Sequence, residues 1–105
     1  MAIKNTYLAS TSVTQVFSAT NQTAITTAIF CNVTTNTDVT VDVFAVPFGS
    51  AALPQTQIMK AVPLTGGDTF VLDTERLILE QNDTIWAQAS TSNCVTVTIS
   101  TLVTA

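Results

Sequence analysis

Apolar and polar positions alternate with a period of two along most of this chain, the signature of half-buried strands. Residues 23–33, TAITTAIFCNV, place Ile25, Thr27, Ile29, Cys31 and Val33 on one face and Thr26, Ala28, Phe30 and Asn32 on the other. TTNTD (34–38) is turn chemistry, built from residues that bond their own backbone. VTVDVFAV (39–46) alternates again, with Val39, Val41 and Val43 inward and Thr40 and Asp42 outward. The two runs are expected to pair as a hairpin. PFGSAALPQTQ (47–57), broken by Pro47, Gly49 and Pro54, is long enough to cross from one sheet to another.

Pro63 cannot donate to a ladder, so IMKAVPL (58–64) belongs at a sheet edge or strand end. Thr65-Gly66-Gly67-Asp68 is a tight turn, and TFVLD (69–73), RLILE (76–80), TIWAQAS (84–90) and CVTVTISTLVT (94–104) follow as strands. In the last, Val95, Val97, Ile99 and Val103 share one face and Thr96, Thr98 and Ser100 the other. SVTQVFSA (12–19) is a first strand, and residues 1–11 form an N-terminal arm or edge segment. No helical period lasts three turns. The expectation is an all-β protein: a single antiparallel β-sandwich or jelly-roll-like domain, residues 12–105, of about seven to eight short strands. The order Cys31, Trp86, Cys94 is not that of an immunoglobulin domain.

Composition sharpens this picture. The 105 residues suit one domain. Only 10% are charged, against roughly 25% in an ordinary soluble domain, and threonine fills about a fifth of the chain. The net charge is −4, with Lys4, Lys60 and Arg76 the only cations. Three scattered cations cannot displace counterions from phosphates, so nucleic acid is not an expected partner. A membrane surface fails on the same ground. No run of 18 apolar residues suggests a transmembrane helix. MAIKNTYLAS lacks a basic region followed by an apolar core, which argues against a secretory signal.

Candidate chemistry concentrates in residues 68–83, DTFVLDTERLILEQND, which hold six of the ten charged residues. Each carboxylate falls where a turn belongs, so turn chemistry is the first reading. A calcium site from Asp73, Glu75 and Asp83, or a catalytic pair, are the alternatives. The chain has no histidine, hence no usual general base, and none of its serines or threonines has an evident activating partner. Catalysis, a resident metal and a cofactor are therefore not expected. Cys31 and Cys94 read as reduced core residues, with a disulfide open if their strands are adjacent. Trp86, Phe30, Phe44 and Phe70 read as sandwich core, with a ligand pocket as the alternative.

The informative feature is missing charge. None occurs from Asn5 to Thr37, nor from Thr84 to Ala105. Edge strands of lone β proteins are usually blunted by Lys, Pro or inward charges, and the terminal strand 94–104 has none of these. Either it is central in its sheet or neighbouring chains cover it. The length of the uncharged zones favours a homo-oligomer docked on something larger, with Val95, Val97, Ile99, Leu102 and Val103 as interface candidates.

Three segments carry a family resemblance. AIFCNVTTNTDVTVDVFAVPFG (28–49), VPLTGGDTFVLD (62–73) and LILEQNDTIWAQASTSNCVTVTIS (77–100) resemble a family of small tailed-bacteriophage virion proteins. Its pattern is a core strand ending in Cys-Asn or similar, a Thr/Val hairpin leading to a V-P-x-G turn, an L-x-x-G-(D/E)-T strand pair, and a final L-E-x-G-D-x-I-x-A-x-A/S block. Gln81-Asn82-Asp83 stands where that block usually has a glycine, and Asn tolerates the left-handed conformation the turn needs. The resemblance implies a non-enzymatic structural protein of the virion. As a capsid decoration or cement protein it would associate with itself, for instance as trimers, and bind the major capsid protein or other virion proteins. A neck or tail ring component is the alternative. A carbohydrate- or receptor-binding module, using Trp86 near Asp83 and Gln88, is a second.

Overall fold

The computed structural model describes residues 2–72 and 77–103. These form nine strands in two antiparallel sheets: β1 (Ala2–Leu8), β2 (Thr14–Ser18), β3 (Thr23–Asn32), β4 (Val39–Val46), β5 (Gln57–Leu64), β6 (Thr69–Leu72), β7 (Leu77–Leu79), β8 (Thr84–Ala89) and β9 (Val95–Val103). One sheet runs β1-β9-β3, its fourth place divided between β6 and β7, which pair with successive lengths of β3. The other runs β2-β8-β4-β5. The chain is an all-β sandwich, as the alternation implies.

The core lies between the sheets. Val95, Val97 and Ile99 of β9 meet Val41 and Val43 of β4, Ile85 and Ala87 of β8, Leu8, Val16 and Phe30 in one buried cluster. Branched side chains standing off two facing pleated sheets fill this layer.

Two expected connections are exchanged. Residues 23–33 and 39–46 do not form a hairpin: β3 and β4 belong to different sheets, and 33–38 is an arch between them. Both sides of β3 are already occupied, by β9 and by β6 with β7. The arch turns on the Asn32 side chain, buried at 1% exposure. Its Nδ2 donates to the carbonyls of Thr37 (2.6 Å) and Leu64 (3.0 Å), and its Oδ1 accepts from Thr34 N (3.0 Å) and Thr34 Oγ1 (2.6 Å). All four hydrogen-bonding positions of the amide are filled. The long connection 47–56, by contrast, joins neighbours in one sheet, since β4 pairs β5.

Strand β3 changes phase at a β-bulge between Ile25 and Thr27. Ile25 faces the core before it, and Ala28 and Phe30 after it. Thr26 Oγ1, at the bulge, donates to the Ser100 carbonyl at 3.0 Å. β5 is an edge strand, as Pro63 suggested, and is irregular: Ala61 has φ 52°, and its N–H donates to Asp42 Oδ1 at 2.7 Å.

Candidate functional site

β9 is central, flanked by β1 and β3, so its freedom from charge needs no external edge partner. Val95, Val97 and Ile99 are 0%, 0% and 1% exposed and lie in the core, out of reach of any neighbouring chain. Leu102 and Val103, at 44% and 52%, are exposed where the strand runs past that core. What β9 offers outward is its other face, Thr96, Thr98 and Ser100, and then Leu102.

Register extends this face across the sheet in four rows. Tyr7, Thr96, Cys31 and Thr69 lie side by side, then Asn5, Thr98, Ile29 and Val71. Ile3, Ser100 and Thr27 follow, and Leu102, Ala24 and Ile78 close the end. Among the described residues, no row contains a charged residue. The centre is half-buried by close packing of its own side chains, while Ile3, Tyr7, Val71, Ile78 and Leu102 stand exposed around it. Thr98 Oγ1 donates to Asn5 Oδ1 at 2.8 Å, and Thr26 and Ser100 hydroxyls meet at 3.2 Å, so the hydroxyls there are tied within the sheet. Lys4 alternates with Ile3 and Asn5 and so stands off the opposite side of β1.

The acidic stretch resolves into turns where it is described. Thr65 Oγ1 bonds Asp68 Oδ2, and Gly67 takes φ 82°. Asp83 Oδ1 accepts from Phe48 N (2.8 Å) and Oδ2 from Glu80 N (3.0 Å). Asn82 has φ 73°, the left-handed conformation in place of glycine. Asp73 and Glu75, and with them the calcium alternative, lie outside the described residues. Among the described residues no cluster of three metal-ligating side chains forms, and no helix is long and apolar enough to cross a membrane.

Both cysteines are free thiols, Cys94 in the core and Cys31 on the outer face. The four aromatics part company. Phe30 and Phe70 pack together in the core, centroids 6.4 Å apart. Phe44 and Trp86 are cross-strand neighbours on the outside of the second sheet, where residues 47–52 fold back. That leaves a cleft of about 430 Å³ lined by Trp86, Phe48, Gln15, Asn82 and their neighbours. The pattern of strands gave no sign of this cleft, because it depends on where a loop lies. Of the four aromatics weighed as a ligand pocket, only Trp86 lines it.

No protein-family model and no characterised protein sequence matches the chain. Among solved structures, it is similar to a chain from the structure of infectious bursal disease virus Gx strain. The TM-score is 0.41 and the identity 13%, over 95% of this chain and 29% of the other. The present chain thus spans less than a third of that protein's length.

Proposed function

We propose that this chain is a non-enzymatic virion structural protein, a capsid decoration or cement protein that associates with copies of itself and binds the outer face of a capsid shell. The observation that carries the reading is the uncharged outer face of the β1-β9-β3 sheet. A protein with a net charge of −4 carries no charged residue in the rows of this sheet face among its described residues. Charged residues are what interface centres lack. The resemblance to small tailed-phage virion proteins points the same way, as does the absence of histidine.

Four strands at about 4.8 Å spacing and about 23 Å of length give a flat footprint of roughly 450 Å². A standard interface takes about 800 Å² from each partner. The contact therefore has to extend past the flat centre, onto the exposed Ile3–Tyr7 margin or the Ile78–Leu102 end. Contacts of this size hold when many are made at once, as in a shell.

The test is the position and copy number of the protein in an intact particle. Copies in roughly the hundreds, spread over the head, support the reading. About six or twelve copies at one vertex would replace it with a neck or tail ring, on symmetry alone. A chain that stays monomeric at micromolar concentration and is absent from particles would overturn both.

A further inference from the structure

The cleft on the second sheet is separate from the face just described and has its own chemistry. Its walls carry no Asp, Glu, Lys or Arg. Trp86 lies in it, half-buried, with its indole N–H already given to Thr84 Oγ1 at 2.8 Å. The ring can then offer a π surface but no donor. Phe48, 74% exposed, stands at the rim on a turn closed by Ser50 N to Pro47 O. Asp83 fastens that turn through Phe48 N, so the rim is held rather than loose. Gln15, the cross-strand neighbour of Trp86, and Asn82 also line the cleft and bring two side-chain amides to it. Neither amide bonds a described residue.

We propose that this cleft binds an uncharged saccharide. An aromatic face accepts the C–H surface of a sugar ring, and two amides supply both donors and acceptors to its hydroxyls. Ions find no opposite charge here, and a wholly apolar occupant would cover two amides without replacing their water. The volume lies within the range of small-ligand sites. Gln88, by contrast, is unavailable, because its amide donates to the Thr11 carbonyl at 2.9 Å. Asp83 is engaged by two backbone N–H groups. The recognition set is thus Trp86, Phe48, Gln15 and Asn82, not the Trp86, Asp83 and Gln88 suggested by sequence proximity.

Trp86 is the only tryptophan, so its fluorescence reports on the cleft directly. The experiment titrates the full chain with methyl glycosides of glucose, galactose, mannose and N-acetylglucosamine, and with their disaccharides, against sodium acetate and trimethylammonium as charged probes. The expected result is a saturable change of Trp86 emission with at least one saccharide at a Kd of about 1 mM, and none with the charged probes. Gln15→Ala should weaken that binding at least about fivefold, as should Asn82→Gly, which keeps the left-handed turn. Emission unmoved by every saccharide, while acrylamide still quenches it, would overturn the proposal. So would saccharide binding left unchanged in both variants. Neither failure bears on the uncharged face, which lies on the other sheet.

Discussion

Replacing Asn32 probes how the two sheets are joined. Its amide is the only side chain that bonds both the arch at Thr37 and the end of β5 at Leu64 among the bonds described. Asn32→Ala removes the donors to the buried Leu64 carbonyl and the part-buried Thr37 carbonyl, and the acceptor of the Thr34 N–H and hydroxyl. Water cannot easily restore these at a site 1% exposed. Each buried group left without its partner costs about 1–3 kcal/mol, so a total of about 3–5 kcal/mol is expected. That is a large part of the roughly 5–15 kcal/mol that holds a domain together. For a chain of this size 3 kcal/mol corresponds to roughly 14 °C in Tm. Chemical denaturation followed by circular dichroism, with a thermal melt, reads the loss. Asn32→Asp separates the donors from simple packing. It nearly preserves shape but sets a carboxylate against two carbonyl oxygens, so at neutral pH it should be no more stable than the alanine variant. An aspartate variant as stable as the parent would refute the role given to the amide donors.

Other outcomes follow from single positions. A Cβ on Gly66 would lie 2.5 Å from the Thr35 carbonyl oxygen; Gly66→Ala should cost about 1–3 kcal/mol in denaturant melts by forcing the arch and turn apart. Ala61 holds φ 52° in β5, and Ala61→Gly should raise stability by up to about 1 kcal/mol, since the left-handed penalty vanishes. Thr98→Lys puts a charge at the middle of the uncharged face; light scattering should show self-association weakened about tenfold or more, with Tm nearly unchanged. Because none of the described residues of that face is charged, association of the parent should vary little with salt concentration.

The alternation in residues 94–104 disclosed two faces of β9, but alternation does not say which face meets the core. The apolar set Val95, Val97 and Ile99 is interior here because a second sheet covers it. The threonine set is what remains for a neighbour. β3 shows a different limit: its bulge shifts the phase after Ile25, which a strict period of two cannot express. Strand partners were the least legible feature. Local turn chemistry at 34–38 looks the same in a hairpin and in an arch, and the deciding group, the Asn32 amide, is marked in sequence only by its place on the face shared with Ala28 and Phe30. Turn residues fared well, because their requirement is local: Asn82 takes the left-handed conformation, and Asp68 and Asp83 bond their own turns. The Trp86 cleft depends on a loop folding back over a sheet, and no periodicity encodes that.

Hydroxyl-radical footprinting of the free chain and of the same chain in assembled particles asks most directly whether neighbours cover the uncharged face. Ile3, Tyr7, Val71 and Leu102 report on that face, and Phe48 and Ile58, exposed elsewhere, serve as internal references. Oxidation of the first group should fall several-fold on assembly while the references stay within error. Equal oxidation of the face in both states, or protection confined to Phe48 and Ile58, would contradict it.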